Sequence, residues 1–233
     1  MKPVTSSEAW TGVANCRTCA IRQSVLFAGL DERDFDSIHK PIEQFSYAPG
    51  TLIYSAEDRA EWIYTIRSGL VKLTQFLPDG TQRIVRLLGS TDAVGLECLI
   101  LDHYEHFVIA LHHTQVCRIP RNVLRELLSR KPQMFSELMA RWHRALSDSD
   151  RVIRDFNSGT ARQRVARLLL WLAERNGGER CDLFGREDLG ALLGLTTETA
   201  SRTMAEMKRQ GFISEPRTNQ FLCDIPNLQR IIV

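Results

Sequence analysis

Gly185 to Phe212, GREDLGALLGLTTETASRTMAEMKRQGF, is the stretch whose reading decides the fold. Leu189, Leu192 and Leu193 fall at i, i+3 and i+4, an apolar stripe that predicts a short helix from Arg186 to Leu193. Gly194 is its stop, because glycine takes the left-handed conformation at a helix end without steric cost. Thr196 is a suitable N-cap for a second helix over Thr197 to Gln210. That helix carries Ala200, Thr203, Met204 and Met207 on one face and Glu198, Ser201, Arg202 and Arg209 on the other. Gly211 ends it.

Two short helices around a tight turn form a helix-turn-helix pattern, in which the second helix reads the major groove. The first turn of such a helix attracts phosphate. Arg202 can donate twice to guanine O6 and N7, and Glu198 can accept from cytosine N4. Ser201 can donate to a base edge or a phosphate. The candidate DNA contacts are therefore Thr197, Glu198, Thr199, Ser201 and Arg202. An ordinary helical hairpin with solvated charges has the same pattern.

The run LGLTTETASR, Leu193 to Arg202, resembles the recognition-helix signature of the cyclic-AMP receptor protein/FNR (CRP/FNR) family of bacterial transcription regulators. The trio Glu198, Ser201 and Arg202 matches the FNR branch. The resemblance implies base contacts from Glu198 and Arg202, an FNR-type half-site resembling TTGAT for Ser201 to help read, a homodimer on palindromic double-stranded DNA, and RNA polymerase as a further partner. It spans nearly the whole chain.

Charge adds little to this reading. The 233 residues carry a net charge of only +2, and from Thr160 onward there are eleven Lys/Arg against nine Asp/Glu. DNA binding is thus argued from the motif and not from a basic patch. At 43% hydrophobic residues the chain can bury a sizeable core. It has no apolar run of the roughly 18 residues that a membrane span needs. The N-terminal MKPVTSSEAW lacks a signal-peptide core, so a cytoplasmic protein is expected. In that compartment six cysteines read as thiols, metal ligands or redox sensors before they read as structural disulfides.

Between Phe45 and Ile119, strand-like runs (LIYS, WIYTI, LVKLTQF, RIVRLL, FVIALHH, QVCRI) alternate with turn signals at Pro49-Gly50, Ser68-Gly69, Asp79-Gly80, Gly89 and Gly95. Asp-Gly between β-rich runs predicts a hairpin, and the series predicts a small barrel or jelly roll. It resembles the family's β-roll, entered through IRQSVLFAGL and a short helix over Asp31–His39. Nucleotide-binding members place Glu after the last-turn glycine and an Arg-Ser/Thr pair on the cyclic phosphate. Here Leu96 follows Gly95, and no Arg lies between His103 and Leu111, so a cyclic nucleotide is not the expected ligand.

Arg121 to Ser129 predicts a short helix. From Pro132 to Asn157 a longer one carries Phe135, Leu138, Trp142, Leu146, Ile153 and Phe156 in a coiled-coil-like seam, the expected dimer interface. Ser149, between Asp148 and Asp150, breaks the seam. Carboxylates near a two-fold axis repel, which would leave association marginal and switchable. After Asn157-Ser158-Gly159 comes a helix over Ala161 to Arg175 with Val165, Leu168, Leu169 and Leu172 inward, then the helix-turn-helix and a β-hairpin wing over Phe212 to Asp224. The expected class is α+β: an N-terminal antiparallel β-roll (jelly-roll-like) sensor domain in residues 1–131, a long dimerisation helix in 132–158, and a C-terminal winged helix-turn-helix in 159–233.

Oxygen-sensing members of the FNR branch hold an iron–sulfur cluster on three N-terminal cysteines and one from a late β-roll strand. Cys16 and Cys19 (a CxxC) and Cys117 match three of these positions. The remaining N-terminal one is absent, with Val25 or a neighbour in its place. Cys98 is the spare thiol nearest in context, and also reads as a small core residue. Three sensors stay open: a [4Fe-4S] cluster on Cys16, Cys19, Cys117 and a non-standard ligand such as Cys98; thiol redox at the CxxC or between Cys16/Cys19 and Cys117; and haem or another small ligand (nitric oxide among them), or no cofactor. His103, His106, His112 and His113 are the candidate haem or metal ligands, and the last two, adjacent on a strand, would face opposite ways. Cys181 and Cys223 read as core residues. With no thioredoxin-like βαβ pattern around Cys16, no acid/base pair and no phosphate loop, an enzyme is not expected.

Overall fold

Turn chemistry and β-branched runs together shape the first half of the chain. The computed structural model describes residues 10–15, 19, 21 and 42–232. Cys16 and the helix expected over Asp31–His39 lie outside the described residues. Nine strands precede the first long helix among them: β1 (Trp10–Val13), β2 (Glu43–Tyr47), β3 (Leu52–Tyr54), β4 (Trp62–Ser68), β5 (Leu70–Phe76), β6 (Gln82–Gly89), β7 (Ala93–Val94), β8 (Phe107–Ala110) and β9 (Thr114–Pro120). They form two sheets, ordered β1-β2-β9-β4-β7 and β3-β8-β5-β6. The β5–β6 hairpin turns at the expected Asp79-Gly80, where Asp79 Oδ1 accepts from Thr81 N–H at 2.8 Å. Phe45, Ile63, Ile66, Val116 and Ile119 are almost fully buried. Tyr54 of one sheet stacks on Tyr64 of the other, ring centroids 5.5 Å apart. Arg118 ties β2, β4 and β9 together: its guanidinium lies 4.5 Å from the Phe45 ring centroid and 3.9 Å from that of Trp62, and it pairs with Glu43. Two sheets with these connections are the β-roll that the turn spacing predicts.

The chain divides into two compact units, residues 1–75 with 86–147, and residues 76–85 with 148–233. In the first, α1 (Arg121–Arg130) buries Val123, Leu124 and Leu127. Helix α2 (Gln133–Arg151) follows, and the chain then passes into a single π-helical segment, Val152–Phe156. The one helix expected from 132 to 157 therefore runs unbroken past Ser149 and changes to a π-helical turn at Val152. A π-turn inserts a residue and rotates the following side chains.

That rotation and the burial of α2 correct the expected seam. Phe135, Trp142, Leu146 and Ile153 are exposed. Leu138 and Phe156 are only 4% and 2% exposed within the single chain. Phe156 meets Trp171 edge to face in its own unit, centroids 6.1 Å apart. Met139, 50% exposed, takes the place assigned to Leu138. Phe135, Met139, Trp142 and Leu146 then recur at heptad spacing, a spacing of 4, 3 and 4.

In the second unit, α3 (Ala161–Arg175) buries Val165, Leu168, Leu169 and Leu172 as expected. Its N-cap Thr160 and Gln163 form a reciprocal capping box. The helix-turn-helix is α4 (Arg186–Leu193) and α5 (Thr197–Arg209). The wing is β11 (Ile213–Arg217) and β12 (Gln220–Cys223), turning at Thr218-Asn219 with Asn219 at φ 60°. Two further elements complete the unit. Strand β10 (Arg180–Asp182) extends the wing sheet to the order β10-β12-β11. Helix α6 (Ile225–Ile232) packs on α3. Its start was legible, since Asp224 caps Asn227 N–H at 3.1 Å and Pro226 sits in the first turn.

Close backbone approach makes Gly190 obligatory: a Cβ there would lie 2.7 Å from the Leu195 carbonyl oxygen. Gly190→Ala is expected to destabilise the unit by about 1–3 kcal/mol through overpacking, seen as a lower Tm by circular dichroism. Gly178→Ala is the control, with nothing within 4 Å of its added Cβ.

Candidate nucleic-acid interface

The turn between α4 and α5 is built from three local devices. Gly194 ends α4 in the left-handed conformation, φ 62°. Leu195 N–H then donates back to the Gly190 carbonyl at 3.0 Å. Thr196 Oγ1 accepts from Thr199 N–H at 3.2 Å, capping α5. From α3, Arg164 Nη1 donates to the Leu193 carbonyl at 2.9 Å, a cation placed on the negative end of α4. Ala200, Met204 and Met207 are buried and hold α5 in place, and so are Leu189, Leu192 and Leu193 of α4.

The opposite face of α5 is open. Thr197, Glu198 and Arg202 are exposed, while Thr199 and Ser201 are half-buried. Thr199 is partly engaged within the helix: its hydroxyl lies 3.1 Å from the Thr196 hydroxyl, and its carbonyl accepts from Thr203 Oγ1 at 2.8 Å. Glu198 lies in the first turn, where its own backbone N–H and then the Thr196 hydroxyl hold its carboxyl below the usual carboxylate range. It is therefore an ionised acceptor near neutral pH, suited to a cytosine amino group. Arg202 makes no hydrogen bond or ion pair with any described residue, so its guanidinium donors are free for a base edge.

Several supporting residues had not been singled out from the sequence. Lys208, in the last turn of α5, pairs with Glu215 of β11 at 3.0 Å. Glu215 also accepts from Asn219 N–H at 3.2 Å, which ties the wing turn to the reading helix. The Lys208 ammonium holds the Glu215 carboxyl below its ordinary range. Arg217 and Thr218 stand exposed at the wing tip. Arg162 of α3 bonds Gln210 at 2.6 Å and lies over the Phe212 ring, bracing the end of α5. The signal for these residues was their proximity in space, which spacing along the chain does not carry.

The cysteines fall into separate places. Cys19 is near enough to Cys117 on β9 that a thiolate at Cys19 raises the pKa of Cys117. Burial pushes the Cys117 thiol up, and the Arg67 guanidinium beside it pulls it partly back. Cys98 does not join them. It is wholly buried in the 3₁₀ turn Leu96–Leu99, its charged neighbours are Arg121, Glu97 and Arg125, and burial pushes its thiol up to about 12. Among the described residues no three His, Cys, Asp or Glu side chains converge as a metal site. Of the candidate cluster ligands, Cys19 and Cys117 are neighbours, Cys98 is apart from them, and Cys16 lies outside the described residues.

The candidate histidines are dispersed. His103 forms an isolated β-bridge with Arg59, and His113 Nε2 lies 3.0 Å from Ser46 Oγ. His112 and His113 are not on a strand as expected, since β8 stops at Ala110 and both lie in the bend before β9. His106 has a buried Nδ1 without a partner, and burial followed by the Arg86 charge lowers its pKa.

Comparison with known proteins agrees with this geometry in both halves of the chain. A Crp-like helix-turn-helix domain matches residues 163–231, and a cyclic nucleotide-binding domain matches residues 44–131. The chain belongs to the CRP/FNR family. It is 27% identical over 207 residues to the fumarate and nitrate reduction regulatory protein of Vibrio cholerae, covering 86% of this chain and 83% of that protein. It is 25% identical to the anaerobic regulatory protein of Pasteurella multocida, covering 86% of this chain and 76% of that one. Among solved structures, FixK2 from Bradyrhizobium japonicum superposes with a TM-score of 0.73 at 26% identity, over 82% of this chain and 96% of the other. TTHB099 from Thermus thermophilus, at 22% identity and a TM-score of 0.70, shares the fold. This CRP/FNR protein is a DNA-binding transcription regulator, and no helix among its described residues is long and apolar enough to cross a membrane.

Removing the Arg202 side chain is expected to cost about 1–3 kcal/mol per half-site on specific DNA and to relax the choice at one G·C pair. Band shifts of Arg202→Ala on specific and random duplexes measure both effects. Binding to random DNA should be nearly unchanged.

Proposed function

We propose that this regulator is a cytoplasmic homodimer that reads an inverted repeat of TTGAT-like half-sites and changes its DNA binding with redox state through Cys19 and Cys117. The observation that carries the DNA reading is the open face of α5, with ionised Glu198, Ser201 and unpaired Arg202 on a capped helix. Two copies of α5 one helical turn apart match a palindromic site, as two-fold symmetry requires. The exposed row Phe135, Met139, Trp142 and Leu146 supports pairing through α2. RNA polymerase is the partner through which such a dimer would activate transcription. Fluorescence anisotropy with the TTGAT palindrome and a scrambled duplex tests the reading, and equal affinities at physiological salt refute it.

Dimerisation is open to a direct measurement. Leu146→Asp places a charge in the apolar row and is expected to shift the protein to monomer in analytical ultracentrifugation. Asp150, exposed beside the break in the row, would repel its symmetry mate, so Asp150→Ala is expected to tighten the dimer.

The redox reading rests on the proximity of Cys19 to Cys117, with the Arg67 guanidinium offsetting part of the burial that raises the Cys117 thiol. The names of the Vibrio and Pasteurella relatives, which refer to fumarate and nitrate reduction and to anaerobic regulation, support the same class of signal. An iron–sulfur cluster on Cys16, Cys19, Cys117 and a non-standard fourth ligand is the second reading, with Cys16 outside the described residues. Iron and acid-labile sulfide assays on anaerobically purified protein separate the two, stoichiometric iron and sulfide favouring the cluster and their absence the thiol pair. Mild oxidation that converts Cys19 and Cys117 alone should alter the DNA affinity of the wild type and leave that of Cys117→Ser unchanged. Added cyclic AMP should alter neither, since Leu96 follows Gly95 and no arginine lies between His103 and Leu111.

A further inference from the structure

Cys181 and Cys223 take no part in the DNA contacts or in the N-terminal thiol pair. In the wing sheet, Cys181 of β10 faces Phe221 of β12, and Cys223 lies two residues farther along β12. Side chains alternate along a strand, so both sulfurs project from the same face of the sheet as diagonal neighbours. They are 0% and 3% exposed. Contact with the Cys223 sulfur, and then burial, raises the pKa of Cys181 far above the ordinary thiol range, and the same contact draws that of Cys223 below it.

We propose that Cys181 and Cys223 are a second, oxidant-responsive dithiol that closes to a disulfide inside the DNA-binding unit, with a peroxide as the oxidant. Cys223 attacks first, because its contact with Cys181 favours its thiolate. Its sulfur takes one peroxide oxygen as the O–O bond breaks, giving a sulfenic acid, and the other oxygen leaves as water. The Cys181 sulfur then displaces the hydroxyl of that sulfenic acid. The S–O bond breaks, the S–S bond forms, and a second water carries away the remaining proton. Two thiols lose two electrons to one hydrogen peroxide, which ends as two waters.

The position of the pair explains how a buried site is reached and why it matters. Strand β10 has three residues and lies at the sheet edge, so opening of this edge exposes both sulfurs. The segment between the two cysteines contains α4, α5 and β11, so the bond encloses the whole reading head in one covalent loop. Diagonal strand neighbours sit at the far limit of disulfide geometry. Closure therefore draws β10 toward β12 and yields a bond that thiols reduce readily, as a reversible switch requires.

The test uses the full-length wild-type protein. It is treated with hydrogen peroxide, alkylated under denaturing conditions, digested without reductant and examined by mass spectrometry. The expected product is a cross-linked peptide pair carrying Cys181 and Cys223, about 2 Da lighter than the two reduced peptides together, that disappears with dithiothreitol. The two thiols should be lost in step, in Cys117→Ser as in the wild type, which separates this pair from the N-terminal one. Cys181→Ser should drive Cys223 on to sulfinic acid, and Cys223→Ser should leave Cys181 reduced. Free thiols at both Cys181 and Cys223 under a large excess of peroxide, or sulfinic acid at Cys223 of the wild type without any cross-link, would overturn the proposal.

Discussion

The approach of Gly190 to the Leu195 carbonyl is the constraint on which the DNA-binding unit depends. Without a side chain at residue 190, the backbone entering α5 lies against α4, and Leu195 N–H can return to the Gly190 carbonyl. The left-handed Gly194 and the Thr196 cap then set the direction of α5. Arg164 reinforces the turn by satisfying a terminal carbonyl of α4 that would otherwise have no partner. None of these contacts touches DNA. They set the angle at which Glu198, Ser201 and Arg202 are presented, and that angle separates a reading helix from an ordinary hairpin.

Charge and burial divide the labour on α5. Its inner face spends Ala200, Met204 and Met207 on packing, leaving no need for the outer side chains to contribute to stability. Arg202 can therefore remain unpaired, and Glu198 can remain ionised at the positive end of the helix dipole. The ion pair of Lys208 with Glu215 couples the far end of the same helix to the wing. Reading helix and wing thus move as one body with the sheet β10-β12-β11, and a covalent bond across β10 and β12 would act on that body directly.

The sulfur chemistry follows the same logic of place. Six thiols have the same intrinsic chemistry, but their surroundings sort them. Cys117 lies beside a guanidinium and near another sulfur, Cys98 is sealed where ionisation is costly, and Cys181 and Cys223 share a proton. Two dithiol sites in separate units would let oxidant strength, and not only its presence, determine the response.

Local rules made much of this legible in the sequence. Leu189, Leu192 and Leu193, Gly194 and Thr196 mark α4, its stop and the cap of α5, because propensity, periodicity and capping all act within a few residues. Asp79-Gly80 and the β-branched runs marked the β-roll strands for the same reason. Strand β10 escaped because three residues show no alternation, and α6 because its eight residues are too few to show a clear helical period. What only the tertiary structure decided was which face of each element is covered. Leu138 and Met139 are adjacent and equally apolar, yet one packs inside its own chain and the other is left open, and the π-turn at Val152–Phe156 turns Phe156 inward. Likewise nothing in the spacing of Cys98, Cys117, Cys181 and Cys223 says which sulfurs meet, since strand pairing joins residues remote in sequence and burial then sets the reactivity of each.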